Sequence, residues 1–354
     1  MTERQAYVAF NLAEGIGSAG VSELVKRAGS VAAAWEAYPR KVSRTGGAID
    51  WEGELALAKR RKVTLLTPAD DEYPARLRSV PGRPLALYVK GDVSALSKPM
   101  VALVGTRRPS EYGLRMASRL ASGLVESGWG IVSGLALGID AESHRSTLEA
   151  GGVTVGVIGS GLDVFYPEEN IPLAGEMVKK GGAVVSEFPF GRPPDRETFP
   201  IRNHVVAALA HGVVAVEAPS RSGTLITMSI AADLGRTAMA VPGRADSRHS
   251  AGCLQLIRDG ATLVRNVDDI LEAMGDLFPN AGKKAGRAEG RDPEMPPYSP
   301  EEALVMLHAD KDGISIDELV RLSGLPPERV NSVVMGLRIK GFLKFLPGNR
   351  VASL

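Results

Sequence analysis

The stretch VALVGTRRPSEYGLRMASRLASGLVESGWGIVSGLALGID (101–140) decides the fold class. It opens with an apolar, β-branched run, VALVG (101–105), and turns through polar residues. It then continues as GLRMASRLASGLVESG (113–128), whose apolar residues recur at helical spacing. A second apolar run, IVSG (131–134), follows. Strand, helix-length connection and strand make a βαβ unit. The alternation repeats with VTVGVIG (153–159), AVVSE (183–187), VVAVEA (213–218) and TAMAVPG (237–243), and with helical stretches such as LITMSIAADLGR (225–236). Strands apolar on both faces, separated by helices, pack as a parallel sheet covered on both sides. The expected architecture is α/β: a Rossmann-like, doubly wound, mostly parallel sheet over residues 63–275.

The flanks read differently. Residues 1–62 carry short helical patterns. LAEGIGSAGVSELVKRAG (12–29) sets the turn Gly15-Ile16-Gly17 between two apolar-periodic segments. That suits a helix–hairpin–helix whose turn amides hold a phosphate, and it suits a plain helical turn equally. Lys59-Arg60-Arg61-Lys62 reads as a DNA contact or as a solvated helix end. Residues 276–299, rich in Gly, Pro and charge, read as a flexible linker. Beyond it, EEALVMLH (301–308), SIDELVRLSG (315–324) and PPERVNSVVMGLRIKG (326–341) are three helices, and FLKFLPGNRVASL (342–354) is a hairpin. Together they predict a winged helix over 300–354.

Composition narrows the function. The chain has 354 residues, 44% hydrophobic and 23% charged, which suits two or three folded domains. No apolar run approaches the ~20 residues of a membrane span, and MTERQAYVAF lacks the pattern of a signal peptide. The one cysteine, Cys253, allows no internal disulfide and fits a reducing compartment, so a cytoplasmic location is expected. Net charge is +1, so any nucleic-acid site must be a local basic patch.

Ligands of an open parallel sheet bind beyond the carboxyl ends of its strands. Those ends are small, polar and cationic here: Gly105-Thr106-Arg107-Arg108, Ser133-Gly134 through Asp140, Gly159-Ser160-Gly161, and Ser220-Arg221-Ser222-Gly223-Thr224. Glycine lets backbone approach an anion, and amides at helix starts point at it. There is no G-x-G-x-x-G after the first strand and no P-loop signature, so a dinucleotide or nucleoside triphosphate is not indicated. The cations Arg107, Arg108, Arg202 and Arg221 match phosphate oxygens instead, and a polynucleotide backbone is the expected ligand. Arg202-Asn203-His204 opens a helix, to cap it or to face the ligand edge. Phe165, Tyr166 and Phe199 stack on bases or pack in the core.

Catalytic patterns are weak. His249 and Cys253 are two ligands, not a zinc site. Ser222 lies outside a G-x-S-x-G elbow and lacks ordered His and Asp partners. His144 and Glu217 read as well in structural roles. No catalytic residue, metal or cofactor is expected.

The motifs GTRRPSEYG, SGLALGID, GSGLDVFYPEEN, SEFPFG, FPIRN, VVAVEAPSRSGTLIT, GRTAMAVPG and SAGCLQLI, in this order, closely resemble the DprA/Smf family across roughly 64–270. The flanks resemble that family's optional parts, an N-terminal sterile-alpha-motif-like helical domain and a C-terminal winged helix. The resemblance implies a single-stranded-DNA-binding domain that dimerises, loads the RecA recombinase, displaces or bypasses single-strand-binding protein and protects incoming DNA during natural transformation. It also implies a DNA pocket lined by Arg107, Ser133, Gly134, Gly159, Gly161, Arg202, Asn203, Ser222, Gly223 and Thr224. Gly105 and Thr106 join these from the strand-end reading, with Arg108, Arg221, His204 and Phe165 as further contacts. Three positions depart from the family's common residues: Thr106 for Ser, His204 for Arg, and Leu254 for Asn.

Two other functions compete. Related Rossmann-like phosphoribohydrolases carry P-G-G-x-G-T-x-x-E after a strand. The matching stretch here is Pro219 to Thr227, and Thr227 stands where their catalytic glutamate would be. The winged helix could instead be a duplex-DNA regulator, with Arg329, Asn331, Arg338 and Lys340 facing a groove. Residues 300–354 hold seven basic and seven acidic residues, a poor balance for strong duplex binding.

Overall fold

A computed structural model describes residues 1–39, 42–43, 47–275, 299–309, 313–339, 342–346 and 350–353. The chain divides into two compact units, Met1–Gly286 and Arg287–Leu354. Residues 276–298 of the expected linker lie outside the described residues.

In the first unit, helices α1 (Glu3–Leu12), α2 (Ser18–Ala28), α3 (Val31–Ala37) and α4 (Trp51–Arg60) come first. They are followed by β1 (Thr64–Leu66), α5 (Ala75–Arg78), β2 (Leu87–Gly91), β3 (Met100–Gly105), α6 (Glu111–Glu126), β4 (Gly130–Ser133), α7 (Ile139–Glu149), β5 (Thr154–Val157) and α8 (Ile171–Lys179). Then come β6 (Ala183–Ser186), α9 (Thr198–Leu209), β7 (Gly212–Glu217), α10 (Gly223–Asp233), β8 (Thr237–Ala240), α11 (Ala251–Arg258), β9 (Thr262–Leu263) and α12 (Val267–Ala273).

The nine strands form one sheet in the order β1-β2-β6-β5-β4-β3-β7-β8-β9. From β6 to β9 every neighbour is parallel; β1 and β2 add an antiparallel edge. The six strands expected from apolar runs are β3 to β8, and the sheet is doubly wound as expected. Alternate residues of β3 face opposite layers. Val101 and Leu103 pack with Met116, Leu120 and Leu124 of α6. Ala102 and Val104 pack with Val205 and Val206 of α9 and Met228 of α10. The chain runs outward from β3 to β6 and returns to place β7 on the other side of β3. The crevice beyond β3 and β7 is therefore the topological switch point, where such folds bind ligands.

The N-terminal helices build their own apolar cluster around Phe10, Val21 and Trp35. Phe10 and Trp35 meet edge to face, ring centroids 4.9 Å apart. A second cluster joins Val8 and Ala58 to Leu65, Ala86 and Tyr88 of the sheet edge. Gly15 takes φ 74° in the turn between α1 and α2, a conformation that favours glycine.

The second unit contains α13 (Pro300–His308), β10 (Ile314–Ser315), α14 (Ile316–Ser323), α15 (Pro327–Ile339), β11 (Leu343–Leu346) and β12 (Arg350–Ser353). Its strands pair in the order β10-β12-β11. This is the expected winged helix with one short strand, β10, added. Pro347-Gly348-Asn349 and Lys340 lie outside the described residues. Arg329 gives three hydrogen bonds of 2.7–3.2 Å to Glu301, and the Arg338 guanidinium lies 4.8 Å from the ring centre of Phe345. Two of the cations expected to face a groove are thus engaged within the unit. Among the described residues, no helix is long and apolar enough to cross a membrane.

Candidate nucleic-acid interface

A cavity of about 370 Å³ opens at the switch point. The end of β3 contributes Gly105, and the loop after it Thr106, Arg107 and Arg108. The loop after β4 contributes Gly134, Ala136 and, from the first turn of α7, Asp140. The loop after β7 and the start of α10 contribute Pro219, Arg221, Ser222, Gly223, Thr224 and Thr227. From α9 come Phe199, Arg202, Asn203 and Val206. These α9 positions share one face, because three and four residues bring a helix round by about one turn.

Arg202 is the deepest cation, only 6% exposed. Its Nη1 donates to the carbonyl oxygens of Gly134 and Val157, the latter at 2.8 Å, and its Nε donates to Asn203 Oδ1 at 3.1 Å. Burial pulls its pKa down to about 10, with repulsion from Arg107 adding and Asp140 opposing. Asp140, equally buried, accepts from the Gly134 and Ala136 amides at 3.1 and 3.4 Å. Burial raises its pKa and Arg202 opposes the rise. Gly134 lies between the two. A Cβ there would sit 2.6 Å from Arg202 Cζ and 2.8 Å from Asp140 Oδ2.

At the mouth, the Arg107 guanidinium sits 5.0 Å from the ring centre of Phe199, a cation–π distance. Tyr166 approaches the same ring at 6.2 Å, and with Pro167 and Leu137 it lines a groove adjoining the cavity. Ser222 caps α10 by accepting from Thr224 N at 3.2 Å. Four arginines, one aspartate, the first turn of α10 and an aromatic ring therefore share one concave surface.

Five of the expected residues lie elsewhere. Ser133 is fully buried and donates to Leu103 O at 2.6 Å. Gly159 adjoins Phe199 and Thr198 of α9; a Cβ there would sit 3.3 Å from Phe199 Cδ1. Gly161 donates to Arg192 O at 2.8 Å and supports the neighbouring loop. Phe165 packs with the cluster of Leu135, Ile158 and Leu173. His204 turns away toward Pro81 and Gly82, where burial lowers its pKa. The reason is helical: at about 100° per residue, His204 stands some 200° round α9 from Arg202. Asp140 was not singled out as a site residue by the sequence; its signal was an acid at the start of the helix following a glycine-rich strand end.

Among the described residues no cluster of three or more His, Cys, Asp or Glu is placed to hold a metal. Cys253 is buried and its thiol is pushed up to about 12 by burial.

A doubly wound sheet whose switch point opens on an arginine-lined cavity places the protein in the Rossmann-like class. The family described as DNA recombination-mediator protein A matches residues 64–275, and the DprA winged helix domain matches residues 289–349. Protein Smf of Synechocystis is 30% identical over 392 residues, spanning 99% of this chain and 98% of its own. The X-ray structure of DNA processing protein A from Streptococcus pneumoniae aligns with a TM-score of 0.65 at 33% identity, covering 77% of this chain and 98% of that one. DNA processing protein A from Helicobacter pylori, a structure described for its single-stranded DNA binding mode, aligns with a TM-score of 0.55 at 28% identity, over 62% and 97%. The chain belongs to the DprA/Smf family of DNA-processing proteins.

Proposed function

We propose that the cavity beyond β3 and β7 grips the backbone of single-stranded DNA, and that the protein works by binding rather than catalysis. The observation that carries this reading is the convergence of Arg107, Arg108, Arg202 and Arg221 beside the first turn of α10 on one concave surface. Arginine forks and amides suit phosphate oxygens. Phe199 and Tyr166 offer rings on which bases stack with little sequence preference. The single-stranded DNA binding mode described for the Helicobacter pylori relative agrees with this reading. The proposal extends to a cytoplasmic homodimer joined through the Rossmann-like unit. It protects exposed or incoming strands, loads RecA onto them and contends with single-strand-binding protein.

A gel shift with one oligonucleotide, single-stranded and as a duplex, tests the core of this reading. The single strand is expected to bind far more tightly. Equal affinity for both would overturn it. A phosphoribohydrolase reading fares worse, because Thr227 lines the cavity and its hydroxyl is turned to Gly223 O at 3.4 Å. No carboxylate stands at that position to assist at a glycosidic bond. Incubation with AMP is expected to release no adenine; release above a protein-free control would restore the enzyme.

A further inference from the structure

The connection from β6 to α9 carries Phe199 and Arg202 into the cavity, and its first residues are held by the N-terminal helices. Glu54 of α4 accepts from the Phe190 amide at 3.0 Å and from the Tyr88 hydroxyl at 2.7 Å through the same oxygen. The Phe190 ring sits edge-on to Tyr88, centroids 5.2 Å apart. The same ring meets the Arg61 guanidinium at 5.5 Å. Arg61 pairs with Asp163 at 3.5 Å, and Asp163 accepts from the Gly191 amide at 2.8 Å. Asn11 of α1 donates to Glu187 O at 3.3 Å.

The bonds continue toward the cavity. Arg192 pairs with Asp195. Asp195 accepts from the amides of Glu197 and Thr198, each at 2.8 Å, and so fixes the first turn of α9. Phe199 is the next residue. Hydrogen bonds and packed rings, linked by short stretches of backbone at Gly191–Arg192 and Thr198–Phe199, thus join α4 to the ring that Arg107 meets.

We infer that Glu54 is a positioning residue for the cavity: through Phe190, the N-terminal helices brace the β6–α9 connection and set the place of Phe199 and Arg202. This gives those helices a role that needs no DNA contact of their own. Lys59-Arg60-Arg61-Lys62 fits the same account, since Arg61 is spent on Asp163 and Phe190 rather than left free for a phosphate. The inference rests on the strand-binding reading of the cavity, so its test has one arm without DNA.

Hydrogen exchange on the full chain is compared for wild type, Glu54→Ala and Glu54→Gln. Glu54→Ala is expected to speed exchange from Phe190 through Thr198, including amides that bond to Asp195 and not to Glu54. Glu54→Gln keeps a carbonyl oxygen for both donors and is expected to restore protection. In the second arm, Glu54→Ala is expected to weaken binding of an oligo(dT) strand roughly 3- to 30-fold. Glu54→Gln should recover most of the loss. In a Phe199→Ala background the same change should cost much less, because its route is through that ring. Faster exchange confined to Phe190, or unaltered strand affinity in a folded Glu54→Ala protein, would overturn the inference. A wild type that fails to bind the strand sinks the strand-binding reading, and the exchange arm then decides the brace alone. Should Glu54→Ala fail to fold, Arg61→Ala takes its place. That side chain is 47% exposed, and its removal must loosen the same segment.

Discussion

Gly134→Ala is expected to damage both the fold and the cavity. The new methyl would sit 2.6 Å from Arg202 Cζ, 2.7 Å from its Nη1 and 2.8 Å from Asp140 Oδ2. None of these atoms has slack. Arg202 Nη1 is bonded to two carbonyl oxygens, and the Asp140 carboxylate holds the loop amides. Overpacking of this kind costs about 1–3 kcal/mol, which lowers the melting temperature of the first unit by roughly 2–10 °C. Relief requires displacing the guanidinium together with the Asp140 carboxylate, so strand affinity should fall at least about tenfold with the loss of a charged contact. Thermal melting and a strand-binding titration check the two effects. A stable variant of undiminished affinity would show that Arg202 is not held as described.

Arg202→Ala should be the most destabilising substitution at the site. It strips partners from the Gly134 and Val157 carbonyl groups and leaves the Asp140 charge without its nearest cation. Leaving buried polar groups without their partner costs about 1–3 kcal/mol each. The loss has a pH signature. Burial raises the Asp140 pKa and Arg202 opposes that rise. Without the arginine, the folded-state value climbs further above the unfolded one. A raised carboxyl pKa makes folding less favourable as pH climbs past the unfolded value. The deficit relative to wild type is therefore smallest below about pH 4 and grows toward neutrality. His144 adds in the same sense. Burial and Arg202 together push its pKa down to about 3, which costs wild-type stability as pH falls below the ordinary histidine value of about 6.5. Removing the arginine eases part of that cost. Urea unfolding at several pH values measures the difference, and a deficit that shrinks toward neutral pH would contradict the assignment.

The middle of the fold was legible because strands buried on both faces read as unbroken apolar runs. VALVG and VVAVEA could be nothing else in that alternation. The sheet's margins were not. β1 is three residues long and β9 two, too short for a period to show. β2 carries Lys90 and Gly91 at its exposed end. The rim loops were legible for a topological reason, since the switch point gathers strand ends whatever their side chains do. Which face each side chain takes was harder. Arg202-Asn203-His204 looks like one polar triplet, yet helix geometry sends the histidine to the far side. Phe165 and Tyr166 are neighbours that point to a core cluster and a surface groove, respectively. The depth of Arg202 was also hidden, because burying an arginine depends on carbonyl oxygens from the loop after β4 and from β5 that only the folded sheet supplies.

The central claim is that arginines at the switch point hold a phosphate backbone, and the salt dependence of strand binding tests it most directly. Affinity for a single-stranded oligonucleotide would be measured against salt concentration for wild type and Arg107→Ala. Wild-type log affinity should fall linearly with log salt. Arg107→Ala should bind about tenfold or more weakly at low salt, with a slope shallower by about 0.7 for one lost phosphate contact. A flat wild-type response, or a variant with the same slope and affinity, would contradict the account.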